Sequence, residues 1–439
     1  MLKQSEVAVR YLDEGEDKMV NENEMLLDVD EKPAFWPGLL LSFQHVFSMF
    51  GATILVPIIT GLPISVALMM SGVGTLIYQF ITKSKVPVYL GSSFAFIGAM
   101  QIAINQLDGD VSASQTGIMI SGLTYVLIAF ISQKAGTRWI DKLLPPIVIG
   151  PMIVVIGLGL STTAIQNTDL VMGGQWRNMV VAAATFLIVA YVNTKAKGFI
   201  KIIPFLSGIV GGYLIAIALG IVDFQPVIDA AWISIPEIYL PFKTNTFNTY
   251  SIHLGAESWA FLPLVLVTVA EHIGDHTVLS KMTNRNFLKD PGLSRTLSGD
   301  GVATAVSAFF GGPANTTYGE NTGVIGLTKI ASVRVIRNAA IIAVLLSFFG
   351  KFIALLSTIP AAVIGGMSVI LYGVIASNGL KVMIEEQLDF SKARNLIIAS
   401  SMLVIGIGGA VLNIGAIVIS GTALSAVVGI LLNLILPDA

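Results

Sequence analysis

Four ionisable side chains fall within six positions of the otherwise apolar stretch TVAEHIGDH at 268–276. Glu271 and Asp275 are four residues apart and therefore share one face of a helix, whereas His272 and His276 form a second pair turned by about 100°. Carboxyl and imidazole groups are side chains that take up and release protons. The pattern predicts that this helix binds a polar ligand or takes part in proton transfer at a site shielded from bulk water.

Of the 27 acidic residues, only four are predicted to lie at membrane depth, away from the ends of the loops, namely Glu271, Asp275, Asp300 and Glu320. Each carboxylate costs at least about 2.5 kcal/mol at the centre of a membrane helix, so a functional role is the first explanation. Simpler roles stay open at three positions. His272 can form a hydrogen bond to a neighbouring helix, His276 can be structural near the end of its span, and Asp300 can be a solvated residue at the start of its span.

The composition places these groups in a membrane protein. Of 439 residues, 54% are hydrophobic and 12% are charged, and the mean hydropathy is +0.81. Soluble proteins have about 25% charged residues. The net charge of −2 leaves no basic patch for a nucleic acid. Cysteine is absent, which excludes disulfides and thiolate metal sites, and neither a metal nor a cofactor is expected.

Apolar runs of roughly 20 residues, long enough to cross a bilayer as helices, recur along the chain. We place fourteen of them, at 37–60, 63–82, 87–105, 115–133, 143–166, 177–194, 199–222, 256–280, 292–311, 314–328, 335–357, 359–379, 393–411 and 414–436. The loops between spans fall into two alternating sets, one on each side of the membrane. One set contains eighteen Lys and Arg residues and the other contains three, and the set with eighteen is expected in the cytoplasm. Both termini are therefore predicted to be cytoplasmic, the first within an acidic, solvated tail at 1–35.

Seven spans precede and seven follow the loop 223–255, and three pairs of segments match across it. Gln44-His45 matches Glu271-His272, PPIVIGPMIVVIG (145–157) matches IPAAVIGGMSVIL (359–371), and VPVYLGSS (86–93) matches PANTTYGEN (313–321). An odd number of spans per half places the halves in opposite orientations, which is the inverted-repeat plan of secondary transporters. The expected fold class is an all-α polytopic membrane protein with fourteen segments in a 7+7 inverted repeat.

The third and tenth spans are interrupted by Pro, Gly and polar residues at 86–93 and 313–318. Non-helical backbone at membrane depth is tolerated only where protein buries it or where it lines a cavity. Each stretch leads into a short helix, so two helix N-termini are expected to point free N–H groups toward one midplane cavity. Glu271 and Glu320 add carboxylate acceptors. The combination suits a small planar ligand with alternating N–H and C=O groups, such as a nucleobase.

The stretch ENTGVIGLTK at 320–329 resembles the signature of the nucleobase–ascorbate transporter family, also called nucleobase:cation symporter-2. Its fixed positions are met by Glu320, Asn321, Gly323, Thr328 and Lys329. Further segments, including LSFQHVFSMFGATILVP (41–57), YLGSSFAFI (89–97) and EHIGDHTVL (271–279), are similar to the bacterial uracil permeases of that family. The resemblance covers almost the whole chain after the acidic tail.

The resemblance implies a core domain at 36–135 and 256–357, a gate domain at 136–255 and 358–439, and a substrate held between them. It implies import of uracil with protons through the cell membrane by alternating access, in a homodimer that contacts through the gate domains. The residues expected to bind the base are Glu271, Glu320, Phe94, Gly319, Tyr318 and Ala52. Those expected to couple protons or tune the pocket are Glu271, His272, Asp275, Gln44, His45 and Tyr372.

Other functions are weighed against this one. The presence of Asp at positions 275 and 300 resembles the pattern of the purine transporters of the family. A xanthine or purine symporter is therefore the second candidate. An anion transporter of the same fold is more distant, because acids that face the substrate disfavour it. A zinc protease would need His-Glu-x-x-His in that order, and a channel would need repeated filters or charged rings. Neither an enzyme nor a channel is expected.

Overall fold

The computed structural model describes residues 25–414, 417–419 and 421–437. The first half contains helices α1 (Phe35–Thr60), α2 (Ile64–Ile81), α3 (Ile97–Gln106), α4 (Ser112–Ala135), α5 (Arg138–Leu143), α6 (Pro146–Gly159), α7 (Ser161–Asn167), α8 (Trp176–Lys195), α9 (Pro204–Ala218) and α10 (Gln225–Asp229). The second half contains α11 (Ala256–Trp259), α12 (Leu262–Thr283), α13 (Leu293–Phe309), α14 (Gly319–Thr328), α15 (Val333–Ser347), α16 (Gly350–Ser357), α17 (Ala361–Glu385), α18 (Ala393–Ile407) and α19 (Gly421–Ile435).

Short strands pair two by two within the described residues. They are β1 (Leu90–Ser92), β2 (Tyr239–Leu240), β3 (Asn248–Thr249), β4 (Asn315–Thr317), β5 (Leu412–Ile414) and β6 (Ile417–Ile419). β1 pairs with β4 and β5 with β6, both antiparallel, and β2 pairs with β3 in parallel. The β1–β4 pair joins segments that are more than 200 residues apart in the chain, so it determines how the two halves meet.

Proline and residues with positive φ mark several helix boundaries. Helices α6, α9 and α12 have Pro in the first turn, where a backbone N–H would have no partner in the helix. Helix α1 is followed by Gly61 in the left-handed conformation, with a φ of 75°. Helices α12 and α14 end in the same conformation at Asn284 and Lys329. Local sequence therefore decides where these helices begin and end.

Seven helices of the described chain are long and apolar enough to cross a membrane, and a bent pair gives an eighth if it counts as one span. The seven are α1, α2, α4, α6 continued by α7, α8, α11 continued by α12, and α17. Shorter apolar helices are α9, α18 and α19. The chain is thus a multi-pass membrane protein of mostly helical fold, and the total of fourteen spans stays a prediction.

The helices pack in two groups. In one group α13 packs against α4 and α2, and α15 packs against α2 and α1. In the other, α17 packs against α6 and α8, and α18 packs against α19. Glycines permit the closest pairs: a Cβ on Gly301 would lie 2.6 Å from the Gly122 carbonyl oxygen, and one on Gly379 would lie 2.5 Å from the Gly150 carbonyl oxygen. Small residues at these crossings let membrane helices touch backbone to backbone.

Two predicted spans differ in the structure. The span expected at 335–357 is two helices, α15 and α16, which meet at a bend of 84°. The span expected at 414–436 is helical only from 421, because strands β5 and β6 occupy 412–414 and 417–419 and pair with each other. Hydropathy depends on apolar composition and not on the direction of the chain. A prediction from hydropathy therefore joined into one span segments that are separate elements in the structure.

The solvated tail predicted at 1–35 is wrong for residues 25–29, which are buried or half-buried, while residues 1–24 lie outside the described residues. Residues 25–33, which we name the N-terminal strap, run alongside 329–333. The Leu26 N–H donates to the Lys329 carbonyl oxygen at 2.7 Å, and the Ala331 N–H donates to the Leu27 carbonyl oxygen at 2.8 Å. Val29 is only 1% exposed. The acidic composition of the segment concealed a few apolar residues that pack against the protein.

Candidate functional site

The two interrupted segments meet in the protein interior and pair with each other. Strand β1 is antiparallel to β4, with Gly91 opposite Thr316. Beyond the strands, the Ser93 N–H donates to the Ala314 carbonyl oxygen at 2.8 Å. Every residue of both strands is buried, so each strand supplies hydrogen bonds that the other needs away from water. The predicted extended stretches at 86–93 and 313–318 are therefore confirmed.

A helix begins directly after each strand. Strand β1 is followed by a helical turn, Phe94–Phe96, and then by α3, whereas β4 is followed by Tyr318 and then by α14. The first N–H groups of a helix have no partner within it and can donate to a ligand. Gly319, the first residue of α14, is exposed, and a Cβ there would meet no atom within 4 Å. Open space therefore borders the start of α14.

Glu320 lies in the first turn of α14, where the helix dipole favours a negative charge. Helix α1 fixes this turn, because the Ser48 hydroxyl donates to the Glu320 carbonyl oxygen at 3.3 Å and the Asn321 amide donates to the His45 carbonyl oxygen at 3.1 Å. Both His45 and Asn321 are buried. Gln44 is buried beside them, but within the described chain it makes no hydrogen bond to another site residue.

Helix α12 brings two carboxyl groups to the same region. The Thr317 hydroxyl on β4 donates to Asp275 Oδ2 at 2.6 Å. Oε2 of Glu271 is buried and has no hydrogen-bond partner among the described residues. Asp275, Asp300 and Glu320 are close enough to Glu271 for their charges to interact with it. Oε2 of Glu271 can therefore accept a bond from a ligand or take up a proton, and so can Oδ1 of Asp300, which is also buried without a hydrogen-bond partner among the described residues.

His272 and His276 belong to a buried hydrogen-bond network next to this group. Nδ1 of His272 lies 2.7 Å from Asp300 Oδ2 on α13, and His276 Nδ1 donates to the His272 carbonyl oxygen at 2.7 Å. A neutral His276 thus holds its proton on Nδ1, and its Nε2 accepts from the Tyr78 hydroxyl on α2. Asp300 is 1% exposed within a helix that begins at Leu293, so it is not a solvated residue at a span boundary.

Tyr318 ties the site to α1 and to the strand β1. Its hydroxyl donates to the Ser92 carbonyl oxygen at 3.0 Å and accepts from the Thr53 hydroxyl at 3.3 Å. Ala52, the neighbour of Thr53, is buried. Gly91 is required beside this ring, because a Cβ there would lie 2.3 Å from the ring of Tyr318. These contacts order the wall of the site that precedes Gly319.

Phe94 and Tyr372 connect the two groups of helices. Phe94 follows β1, whereas Tyr372 lies on α17, and their ring centroids are 6.2 Å apart in an edge-to-face arrangement. The hydroxyls of Tyr372 and Ser93 are buried and lack hydrogen-bond partners among the described residues. Hydroxyl groups that could still form hydrogen bonds are thus present on both sides of the boundary between the two groups of helices.

The structure places segments that carry the expected residues in contact, namely α1 with α14, β1 with β4, β4 with α12, and Phe94 with Tyr372. Within the described chain neither Gln44 nor Ala52 makes a hydrogen bond to another expected residue. Sequence reasoning assigned no role to Thr317 or Tyr78, although each binds a residue of the 268–276 stretch. Thr317 carried a signal, since it lies in a polar run at predicted membrane depth; a Tyr in an apolar helix carried none. Among the described residues, no group of three or more His, Asp or Glu side chains could hold a metal ion.

Comparisons with known proteins agree on one family. A family model described as "Permease family" matches residues 38–415. The uracil permease of Bacillus subtilis (strain 168) is 46% identical over 423 residues, which cover 94% of this chain and 95% of that protein. The uracil permease of Bacillus caldolyticus is 47% identical over 419 residues, with the same two coverages.

A solved structure has a related fold. The murine Solute Carrier 26 family member A9 (Slc26a9) anion transporter in the inward-facing state superposes with a TM-score of 0.66 at 11% sequence identity, and the match covers 92% of this chain and 68% of that chain. At this level of identity the likeness concerns the fold alone.

Proposed function

This chain belongs to the permease family of nucleobase–ascorbate transporters, and from that premise we propose that it is a secondary active transporter that imports uracil with protons. Uracil permeases that are 46% and 47% identical to it over 95% of their length support uracil as the substrate. The proposed substrate site is the space bordered by Gly319, Glu271 and Glu320.

The observation that carries this proposal is the open start of α14 beside two glutamates. The first N–H groups of α14 can donate to a carbonyl oxygen of a ligand, and the free Oε2 of Glu271 can accept from a ring N–H. Uracil has two N–H groups and two carbonyl groups in one plane, and it is neutral near pH 7. A site that offers both donors and acceptors matches it without having to balance a substrate charge.

We further propose that the two groups of helices are a core domain (36–135 and 256–357) and a gate domain (136–255 and 358–439), with fourteen spans in a 7+7 inverted repeat. The pairing of β1 with β4, one strand from each half, supports such a repeat. The site residues Glu271, Glu320 and Phe94 belong to the core, whereas Tyr372 belongs to the gate. Movement of the core past the gate would expose the site to each side in turn.

The test of substrate is uptake of labelled uracil by cells that lack their own permeases, with xanthine, guanine, thymine and ascorbate as competitors. The expected result is saturable uptake that unlabelled uracil abolishes and ascorbate does not. If unlabelled xanthine inhibited uptake at a lower concentration than unlabelled uracil does, the result would favour the second candidate, a purine symporter. Asp275 and Asp300 are the residues that support this candidate. An anion transporter, the candidate that the shared fold allows, would take up no neutral base.

We assign proton coupling to Glu271 because its Oε2 is buried without a hydrogen-bond partner among the described residues and because, unlike Asp300, it is not paired with His272. We expect Glu271→Gln to lose uracil accumulation driven by an inward proton gradient in proteoliposomes, whether or not it still binds uracil. Glu257→Gln is the matched control, since Glu257 lies in the same span but pairs with His253 at 2.9 Å away from the site. Accumulation at the wild-type level in Glu271→Gln would place the proton elsewhere, with Asp275 or His272 as the next candidates.

The remaining proposals concern the whole assembly. The protein is placed in the cell membrane with both termini in the cytoplasm, on the strength of the eighteen-to-three distribution of Lys and Arg. A homodimer that contacts through the gate domains follows from the family. Cross-linking in intact membranes, with single cysteines on the exposed faces of α8 and α9, tests the dimer, and an absence of cross-links on both faces would contradict it.

A further inference from the structure

The N-terminal strap is bonded to the chain that follows α14. Besides the bonds of Leu26 and Ala331, the Val333 N–H donates to the Val29 carbonyl oxygen at 3.0 Å. The Ser332 hydroxyl donates to the Glu31 carbonyl oxygen at 2.6 Å. Val29 packs in an apolar cluster with residues from α2, α12, α13 and α14. The strap therefore packs as part of the group of helices that contains α2 and α13.

The strap is also bound to the chain that follows α12. One terminal nitrogen of Arg285 lies 2.7 Å from Asp28 Oδ2 and 2.9 Å from Asp30 Oδ2. Partial burial raises the pKa of Asp28, but the hydrogen bond and charge of Arg285 and the Val29 N–H outweigh it and leave this pKa below its usual value. Both members of the Asp28–Arg285 pair are therefore charged at neutral pH.

The two helices that end at the strap are those that carry the proposed substrate ligands. Helix α14 has only ten residues, and Glu320 lies about 13 Å along the axis from Lys329. Glu271 lies about 18 Å along the axis of α12 from its last residue, Thr283, which precedes Arg285 by two residues. Helices α12 and α14 touch each other at few residues. The Thr317–Asp275 hydrogen bond joins them near the start of α14, and the strap is the connection at their other ends. A helix is stiff, and a displacement at its end moves the side chains at its start.

We propose that the strap is a positioning element that holds the ends of α12 and α14 together and so sets the separation of Glu271 and Glu320. Arg285 is its main polar anchor, and Val29 is its apolar one. This inference rests on the proposed function for its effect on uracil binding, but its effect on the two helices does not depend on the substrate. Arg285, Asp28 and Asp30 touch no ligand and act only through the helices.

The experiment uses the full-length protein, whose lack of cysteine allows single labels. Cysteine at Val29 reports whether the strap is docked, and cysteine at the exposed Lys32 gives the undocked rate of maleimide labelling. Spin labels at Val278 and Leu327, which are 39% and 56% exposed on α12 and α14, report the separation of the two helices. Uracil affinity is measured by equilibrium binding of labelled uracil.

The variants are Arg285→Ala, the conservative Arg285→Lys, and the double variant Asp28→Asn with Asp30→Asn, which removes the same ion pairs without touching α12. Lys85→Ala is the matched control, because Lys85 pairs with Asp290 at 2.6 Å and not with the strap. We expect Arg285→Ala and the double variant to speed maleimide labelling of the Val29→Cys protein, to broaden the distribution of spin-label distances and to raise the Kd for uracil by about three- to tenfold. Arg285→Lys should keep all three readouts close to their wild-type values, and Lys85→Ala should change none of them.

Two results would overturn the inference: labelling of Val29→Cys as fast as labelling of Lys32→Cys in the otherwise unchanged protein, or an unchanged spin-label distance once the strap is released. A wild-type protein that binds no uracil would instead contradict the proposed function. In that case the spin-label distance, which is measured without uracil, still decides whether the strap positions the two helices.

Discussion

Lys329 shows how one residue of the family signature serves the backbone. It ends α14 with a φ of 59°, in the left-handed conformation that Gly adopts without strain. The last signature position is thus the residue that ends α14. A basic side chain there also lies at the negative end of the helix dipole. Asn321 has a different task, since its amide holds α14 against the His45 carbonyl of α1.

Gly319 offers a test of the proposed site with little risk to the fold. A methyl group there would meet no protein atom and Ala favours a helix over Gly, so Gly319→Ala should fold at least as well as the wild type. If uracil occupies this space, its KM should rise by about tenfold. Gly91→Ala is the contrast, because its methyl group would collide with the ring of Tyr318 and lower stability. An unchanged KM in Gly319→Ala would move the site.

Asp275 has a charge and a hydrogen bond that can be removed separately. Asp275→Asn retains an acceptor for the Thr317 hydroxyl but loses the charge, whereas Thr317→Ala loses the bond and keeps the charge. If Asp275 tunes the site through its charge beside Glu271, only Asp275→Asn should shift the pH optimum or the preference for uracil over xanthine. Uptake at several pH values with both bases separates the two roles. Equal shifts in both variants would assign the role to the hydrogen bond.

At the scale of elements, the β1–β4 pair explains how broken spans can exist in a membrane. Each strand lacks helical hydrogen bonds, and the other strand supplies them in an antiparallel ladder. The pair also fixes where the helices start, since α14 and the turn at Phe94–Phe96 begin within two residues of the ladder. The strands are thus the rigid frame on which the site is built.

Tyr318→Phe should weaken this frame. Loss of the hydroxyl leaves the buried Ser92 carbonyl without that donor, which costs about 1–3 kcal/mol. We expect a lower melting temperature and reduced uracil uptake. Tyr89→Phe is the control, because the Tyr89 hydroxyl bonds to Ser71 on α2 and does not join the two strands. If the two variants behaved alike, the effect would come from loss of any buried hydroxyl and not from the frame.

At the scale of the whole molecule, orientation in the membrane is the feature most open to direct test. Single cysteines at the exposed positions 138 and 334, in the first turns of α5 and α15 at the side expected to face the cytoplasm, should react with an impermeant maleimide only after the cells are opened. A cysteine at position 243, in a loop expected to face outward, should react in intact cells. Labelling of 138 or 334 in intact cells would overturn the topology.

Much of the site was predictable because its signals are local. Acids are costly at membrane depth, so Glu271 and Glu320 are conspicuous in apolar segments. Pro, Gly and polar residues in a run do not suit a lipid-facing helix, so 86–93 and 313–318 were recognisable as extended. The partners of these residues were not predictable in the same way. Tyr78 bonds to His276 across 198 positions of the chain, and its sequence surroundings are those of any apolar helix.

The sequence by itself therefore determined the membrane class, the family and the residues able to bind a polar ligand, because composition and the free-energy cost of buried charge act on each residue separately. The tertiary structure alone decided which of these residues meet. The bend between α15 and α16, the pairing of β1 with β4, and the docking of the strap on 329–333 each depend on contacts between distant segments. Such contacts form only when packing and hydrogen bonds from several elements are satisfied together, and no stretch of sequence contains that information alone.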